Sequence, residues 1–235
     1  MKVVITTMIW KRPEITKVWC TAIERIIKSF PEVEFNILVA GSEGEKSRLL
    51  IESFNFDYIE TPNQPLSNKA NIRLKACKKY NADYVLLLGS DDFINNKTFN
   101  FILDKMKIGY DEIAPLDLYY YDTVSKAFVY CQGYTNHRKG EQLAISRAVS
   151  KSVLNKIGWQ MFEPNKTKGL DYGSGKRLKA AVEKPYYYSI KENDLFIIDV
   201  KSETNITKFQ RRSNQYNVSI DKLNYLEEYQ LIKSL

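Results

Sequence analysis

Apolar residues recur along the first part of the chain in two alternating patterns. Short runs rich in β-branched and leucine residues, without polar alternation, are typical of strands buried on both faces of a sheet. Between them, apolar residues fall three and four positions apart, as in the segment 13–30, where Pro13 suits a first helical turn. The pattern predicts four strands separated by three helices. The strands are 2–7, 34–40, 56–60 and 82–88, and the helices are 13–30, 45–54 and 65–80.

The pattern becomes less regular after residue 107. The predicted strands there are 113–121, 126–132, 142–146, 186–190 and 195–200, and the predicted helices are 147–157, 172–184 and 218–235. Heptad-like apolar spacing in the last helix suits packing on the protein body or self-association. We therefore expect an α/β protein with a mostly parallel, Rossmann-like central sheet flanked by helices, a smaller mixed subregion and a C-terminal helix.

The order of the predicted elements also indicates where a ligand would bind. Strands that alternate with helices form parallel sheets with right-handed crossovers, and such sheets bind ligands beyond the carboxyl ends of their strands. The loops after Thr7, Ala40, Glu60 and Leu88 should therefore meet at one site. These loops contain residues 10–12, 42–43, 62–69 and 90–92.

Composition narrows the class of protein. With 44% hydrophobic and 27% charged residues, the chain is typical of a globular protein, and no apolar run approaches the roughly 18 residues of a membrane-spanning helix. No leader-like segment is recognisable, so we expect a cytoplasmic protein that begins at Met1. The three cysteines lie far apart in the sequence, which excludes a disulfide framework and a Cys-x-x-Cys metal cluster.

The net charge of +7 originates in one segment of the chain. Residues 135–184 contain 11 Lys and Arg against 4 Asp and Glu, whereas the rest of the chain is balanced. Such a block either attracts an anionic partner or forms a solvated, lysine-rich face. The sequence leaves both interpretations open.

An acidic pair follows the most apolar predicted strand, within the Gly-Ser-Asp-Asp-Phe segment at 89–93. Adjacent carboxylates at the exit of a buried strand repel each other unless a cation compensates them. A hard divalent cation, Mn²⁺ or Mg²⁺, together with diphosphate oxygens would do so. The alternative is an acidic turn in which Asp91, Asp92 or Asn95 caps the next helix.

The order of these motifs resembles the GT-A fold glycosyltransferases, in particular the family 2-like enzymes. The resemblance rests on T-T-M-I-W-K-R-P-E after the first strand, A-G-S-E after the second, and A-D-Y-V-L-L-L-G-S-D-D-F at the fourth. It extends more weakly into the second half of the chain. The metal motif of the family is usually Asp-x-Asp, but Gly89 replaces the first Asp here. This departure leaves open which of Asp91 and Asp92 binds metal directly.

The resemblance also implies roles for individual residues. The metal ligands would be Asp91 and Asp92, and Arg12 and Lys69 would add positive charge beside the leaving diphosphate. The implied donor-binding residues are Thr6, Thr7, Arg12, Ser42, Glu43, Lys69, Ser90 and Asp91. Asp171, at the head of a predicted helix, would act as the catalytic base, or alternatively cap that helix.

By the same resemblance, residues 1–107 form a nucleotide-sugar-binding half, 108–200 an acceptor-binding half and 201–235 a helical tail. The expected reaction is a metal-dependent, inverting transfer of a sugar from a nucleotide diphosphate donor, with a UDP-sugar as first choice, to an acceptor hydroxyl. The acceptor would be a saccharide or a hydroxymethylated base in DNA. Two alternatives stay open: a pyrophosphorylase-like nucleotidyltransferase, although the first loop lacks its glycine-rich segment, and a non-catalytic nucleic-acid-binding module.

Overall fold

The computed structural model describes residues 1–203, 205, 209 and 213–235 and consists of two β-sheets with flanking helices. The strands are β1 (Lys2–Met8), β2 (Glu34–Gly41), β3 (Asp57–Glu60), β4 (Tyr84–Leu87), β5 (Asp92–Ile94), β6 (Glu112–Pro115), β7 (Leu118–Asp122), β8 (Phe128–Cys131), β9 (Arg147–Ser150), β10 (Pro185–Tyr188), β11 (Ile197–Lys201) and β12 (Gln215–Asn217). The α-helices are α1 (Pro13–Ser29), α2 (Glu45–Glu52), α3 (Leu66–Cys77), α4 (Asn96–Ile108), α5 (Lys151–Lys156), α6 (Leu170–Lys179) and α7 (Tyr229–Lys233). Short 3₁₀ helices cover Lys78–Tyr80, Asn136–Arg138 and Ile220–Tyr225.

The larger sheet has seven strands in the order β10-β6-β9-β4-β1-β2-β3. Strands β4, β1, β2 and β3 are mutually parallel, as are β6 and β10, while β9 runs antiparallel between β4 and β6. This arrangement confirms the predicted mostly parallel sheet. The reversal at β9 brings the start of that strand, Arg147, beside Leu87 at the carboxyl end of β4.

The smaller sheet has five strands in the order β12-β8-β7-β11-β5. Its only parallel pair among the described residues is β7 with β11. Strand β5 follows β4 directly in the chain, so the two sheets meet at the carboxyl end of β4. Both predicted halves of the chain supply strands to both sheets.

Helices cover the two faces of the larger sheet, which explains the uninterrupted apolar runs of its strands. On one face Val3 and Ile5 pack in the same core as Trp19 and Ile23 of α1. On the other face Val4, Leu38 and Val85 pack with Ala70 and Leu74 of α3. Fully burying one large apolar side chain contributes about 1.5–3 kcal/mol. The buried strands hold the carboxyl-end loops on a rigid base.

Three predicted elements of the second half differ from the structure in part or in full. Residues 142–146 contain no strand, and the predicted helix 147–157 starts instead with β9, followed by α5. Pairing on both sides with β4 and β6 overrides the helical spacing there. The predicted strand 113–121 is divided into β6 and β7, which belong to different sheets.

The C-terminal helix is shorter than predicted. The segment 218–235 contains the 3₁₀ helix and the five-residue α7, and its apolar residues Leu223, Leu226 and Ile232 are buried in the chain's own core. Arg25 of α1 holds this segment by an ion pair of 2.6 Å with Glu228. Self-association through it stays a prediction. In the part of the chain that the structure describes, no helix has the length and apolar content to cross a membrane.

Candidate metal and donor site

Three carboxylates meet where β4 ends and β5 begins. Asp91 lies in the turn between these strands, Asp92 is the first residue of β5, and Asp199 is opposite Asp92 in the antiparallel β5–β11 pair. One oxygen of each carboxylate lies within 4.8 Å of the others. The Val200 backbone N–H donates to the Asp91 carbonyl oxygen at 2.8 Å, which fixes the turn against β11. The smaller sheet thus adds a third acid to the predicted pair.

Gly89 permits this arrangement of the turn. Its backbone N–H donates to Asp92 Oδ2 at 2.8 Å, and a Cβ atom at this position would overlap with that same oxygen. A side chain at position 89 would therefore displace the Asp92 carboxylate. This gives a local physical reason for the departure from the Asp-x-Asp pattern. The Asp92 carboxylate occupies the space that a side chain at position 89, the first Asp of the pattern, would need.

The three carboxylates repel one another because they carry like charge. Burial, followed by the charges of Asp199 and Asp91, raises the pKa of Asp92 well above its usual value. Burial likewise raises the pKa of Asp199 to about 6, although Lys201, 2.5 Å away, opposes that rise. Burial alone would lower the pKa of Lys201, but Asp199 and Asp91 outweigh it and raise that pKa. Within the described part of the chain, the neighbouring cations compensate the charges of the carboxylates incompletely.

The donor set fits a hard divalent cation. All three candidate ligands are carboxylates, the type that Mn²⁺ and Mg²⁺ prefer. Asp199 Oδ2 binds Lys201, whereas Asp199 Oδ1 is buried and, among the described residues, has no hydrogen-bond partner. Buried polar atoms are nearly always satisfied, so an orphaned carboxylate oxygen beside two further acids points to a cation as its partner.

The alternative that these acids cap α4 is wrong. Asn95 is the N-cap, and its Oδ1 accepts the Thr98 backbone N–H at 2.9 Å. Of the three possible caps, Asn95 is therefore the correct one, and Asp91 and Asp92 are left for the site. Asp91 instead pairs with Arg12, whose Nη1 lies 2.8 Å from Asp91 Oδ2.

Arg12 joins the first and fourth converging loops. Besides the pair with Asp91, its Nη2 donates to Ser90 Oγ at 2.9 Å, and the Arg12 side chain is 15% exposed. Asn205 Nδ2 donates to Asp91 Oδ2 at 2.6 Å from the segment that follows β11. The predicted residues Arg12, Ser90 and Asp91 therefore lie in direct contact.

Lys69 joins the other loops. It lies in the first turn of α3, where its Nζ donates to Ile9 O at 2.8 Å, Ser42 Oγ at 2.6 Å and Asn63 Oδ1 at 3.3 Å. These acceptors follow β1, β2 and β3, so the predicted convergence of the four loops is confirmed. Burial lowers the pKa of Lys69 to about 8, although Glu60 and Glu43 oppose that fall. The Lys69 side chain is 1% exposed, so in this structure it contacts the loops of the protein and not the solvent.

The remaining predicted donor-binding residues occupy different environments. Glu43 is half-buried, and its Oε2 accepts the Lys11 backbone N–H at 2.6 Å, which links the loops after β1 and β2. Thr6 and Thr7 are completely buried within β1, and Thr6 Oγ1 donates to Leu38 O at 2.7 Å. Their side chains support the strand below the loops in this structure, and contact with a donor stays a prediction for both.

Asp171 lies at the same edge of the larger sheet. Arg147, which is opposite Leu87 of β4, donates from Nη1 to Ser174 Oγ of α6 at 3.2 Å. Gly169 is the N-cap of α6, and no described side chain caps this helix, so the alternative capping role of Asp171 is wrong. Asp171 Oδ2 instead accepts from Tyr134 Oη at 3.3 Å. Burial, then the Asp171 charge, raises the pKa of Tyr134 to about 12, which keeps its hydroxyl protonated.

Three residues of the site were missed in the sequence: Asp199, Lys201 and Asn205. Asp199 lies in the predicted strand 195–200 and Lys201 directly follows it, and the available signal is a lone Asp followed two residues later by Lys. Both side chains are at most 15% exposed. A charged pair inside an apolar strand indicates a buried functional site. Asn205 lies outside any predicted element and carried no comparable signal.

Comparisons with known proteins provide evidence on the fold. Neither a protein-family model nor a curated protein matches the chain. Among solved structures, S. aureus TarS 1–349 is similar with a TM-score of 0.61 and 14% identity over 85% of this chain. The same protein in complex with UDP-GlcNAc gives a TM-score of 0.61 and 13% identity over 87% of this chain. In both cases this chain spans 60% of the length of the TarS structure.

A second similar structure is a nucleotide-diphospho-sugar transferase from Desulfovibrio desulfuricans G20. It has a TM-score of 0.52 and 8% identity, over 99% of this chain and 94% of its own. At these identities the likeness concerns the fold, and it shows that the chain has a GT-A-like fold with two sheets flanked by helices.

Proposed function

Starting from this GT-A-like fold, we propose that the protein is a metal-dependent glycosyltransferase that uses a nucleotide diphosphate sugar. The observation that carries the proposal is the cluster of Asp91, Asp92 and Asp199 at the carboxyl end of β4, where one buried Asp199 oxygen has no hydrogen-bond partner among the described residues. Open α/β sheets bind ligands at this end of their strands. The neighbouring TarS complex with UDP-GlcNAc supports a UDP-sugar as the first donor to test.

The donor would bind across the converging loops. Asp91, Asp92 and Asp199 would hold Mn²⁺ or Mg²⁺, which when bound supplies positive charge against the donor diphosphate. Arg12 would donate to a diphosphate oxygen as negative charge develops there, because its guanidinium already lies beside Asp91 with further N–H groups to offer. Lys69 would act indirectly by fixing the loops after β1, β2 and β3 around the nucleoside.

The acceptor would approach from the side of α6. Asp171 would take the proton of the acceptor hydroxyl while that oxygen forms a bond to the anomeric carbon. The bond between the anomeric carbon and the diphosphate oxygen breaks at the same time, and the nucleoside diphosphate leaves with its electron pair. Attack on the face opposite the leaving group inverts the anomeric configuration. We propose residues 1–107 as the donor half and 108–200 as the acceptor half, with 201–235 as the tail.

The donor can be identified directly. The protein would be incubated with a panel of UDP-, GDP-, CMP- and dTDP-sugars plus Mn²⁺, and release of free nucleotide would be measured with a neutral saccharide, a phosphorylated saccharide or hydroxymethylated DNA as acceptor. We expect release from one UDP-sugar, increased by one acceptor and abolished by a chelator. Absence of release with every donor, or release of pyrophosphate from a nucleoside triphosphate and a sugar phosphate, would contradict the proposal.

A further inference from the structure

Most of the basic residues of 135–184 belong to two separate groups. Lys151 and Lys156 lie at the edge where β4 begins. The Lys151 N–H donates to Asp83 O, and Lys156 pairs with Glu183 at 2.5 Å. Another group of basic residues lies around α6 and the loops near it, at partly or fully exposed positions. These residues are Arg138, Lys139, Lys166, Lys168, Lys176, Arg177 and Lys179.

Part of the second group forms an ordered stack of cations and aromatic rings. Arg138 Cζ lies 3.5 Å from the Tyr134 ring centroid and 5.3 Å from that of Tyr172, and Lys176 Nζ lies 4.4 Å from the Tyr172 centroid. Cation–π contacts at these distances hold the charges in defined positions. We call Tyr134, Arg138, Tyr172 and Lys176 the cationic stack.

The cationic stack adjoins the proposed base and the donor half. Tyr134 donates to Asp171, and Tyr172 is the next residue along α6. The loop before α6 contacts the start of α3, because the Ser67 backbone N–H donates to Lys166 O at 3.0 Å. Helix α3 also carries Lys69, which fixes the donor loops. Positive charge is thus arranged beside the place where an acceptor hydroxyl would meet the donor.

We propose that the cationic stack binds phosphate groups of an anionic, phosphodiester-bearing glycan and so presents its hydroxyl to Asp171. This inference rests on the glycosyltransferase function proposed above and specifies the acceptor class. Arg138 forms an ion pair of 2.7 Å with Glu141 through Nε, and its guanidinium carries terminal N–H groups as well, which can donate to phosphate oxygens. Guanidinium and ammonium groups form strong, charge-assisted hydrogen bonds with phosphate oxygens.

The same geometry favours a glycan over DNA as the source of phosphate. A flipped or single-stranded base needs an open aromatic face on which to stack. Arg138 covers the Tyr134 ring at 3.5 Å, and Arg138 and Lys176 both lie against Tyr172. A base would have to displace these cations, whereas phosphates would bind them directly. A neutral saccharide would supply no negative charge to either cation.

The test compares two double variants that each remove two positive charges. Arg138→Gln with Lys176→Gln alters the cationic stack, and Lys151→Gln with Lys156→Gln is the matched control at the opposite edge. Binding of a phosphodiester-linked glycerol oligomer would be measured between about 50 and 200 mM salt. We expect the first variant to bind at least tenfold more weakly, with a salt slope reduced by roughly one unit per charge removed. The control should bind like the wild type.

Equal weakening by both double variants would overturn the inference, since the oligomer would then respond to total charge alone. A DNA duplex that binds more tightly than the glycerol oligomer, or a neutral maltooligosaccharide that competes equally well, would also overturn it. Binding of UDP with Mn²⁺ to the wild type, measured in the same buffer, tests the proposed function separately. If UDP binds and the oligomer does not, this inference fails and the proposed function stands; the reverse result contradicts the proposed function.

Discussion

The guanidinium of Arg12 pairs with the carboxylate of Asp91 at 2.8 Å, although the two residues are 79 positions apart. Lys201 pairs with Asp199, so among the residues that the structure describes two formal positive charges face the three acids of the site. A divalent cation would change the formal sum from one negative to one positive charge. A diphosphate would then be attracted to a site that repels it without metal. Metal binding and donor binding should therefore be coupled.

The absence of a side chain at Gly89 is predicted to be necessary for tight metal binding. In Gly89→Ala the new Cβ would meet Asp92 Oδ2 and move that carboxylate, so we expect Mn²⁺ affinity to fall at least tenfold without any change of charge. Calorimetric titration with Mn²⁺ measures this effect. Gly173→Ala is the control, because a Cβ at that position in α6 meets nothing within 4 Å. Wild-type affinity in Gly89→Ala would show that Asp92 is not a ligand in this conformation.

Asp171 is predicted to act in transfer and not in folding. Asp171→Asn should lower kcat of transfer by roughly 10²–10⁴-fold, the range typical of general bases, with little change in UDP affinity. Tyr134→Phe removes the hydroxyl that donates to Asp171 and should have a smaller effect, on the pH profile of kcat. Steady-state transfer kinetics and UDP titrations measure both. Parallel loss of UDP affinity and thermal stability in Asp171→Asn would assign this residue to the fold.

Burial of Lys69 predicts a pH dependence of stability. The folded state lowers the pKa of Lys69 from 10.5 to about 8, so between these values the unfolded chain binds more protons. The contribution of Lys69 to stability therefore rises as pH increases through this window. The difference in Tm between wild type and Lys69→Met, measured from pH 7.5 to 10, should shift in favour of the wild type. Parallel Tm curves would show that Lys69 is not desolvated in solution.

The buried pair of Arg147 and Glu112 predicts a large effect on stability. Their side chains are 1% and 0% exposed and lie 3.2 Å apart, so Glu112→Gln leaves the Arg147 charge uncompensated. Breaking such a pair costs about 3–5 kcal/mol in free energy of unfolding. Glu183→Gln is the control, because its pair with Lys156 is exposed to solvent and its loss should change the free energy of unfolding far less. Denaturant unfolding curves distinguish the two; similar small losses would contradict the buried pair.

The sequence predicted the parts of the site that depend on local pattern. Alternating strands and helices place Arg12, Ser42, Lys69 and Asp91 after consecutive strands, and the sheet brings those loops together. The direction in which each individual side chain points was harder to predict. Thr6 and Thr7 belong to a strand covered on both faces by helices, so both side chains are buried although they precede the loop.

Other parts depend on pairing between distant segments. Strand β9 is only four residues long, and its neighbours β4 and β6 determine its conformation more than its own composition does. Asp199 meets Asp92 only because β11 pairs with β5, which links residues more than a hundred positions apart. Local periodicity contains no information on the register between distant strands. The structure was therefore needed to place Asp199 and Lys201 in the site.

The central claim is that the three acids bind a divalent metal that is required for the nucleotide donor. The most direct measurement is calorimetric titration of UDP into the wild type, Asp91→Asn, Asp199→Asn and the exposed control Asp104→Asn, each with Mn²⁺ and with a chelator. We predict tight UDP binding by the wild type and Asp104→Asn with Mn²⁺, and at least tenfold weaker binding in the chelator or in either site variant. Equal UDP affinity with Mn²⁺ and with chelator, or unchanged affinity in Asp91→Asn and Asp199→Asn, would contradict the account.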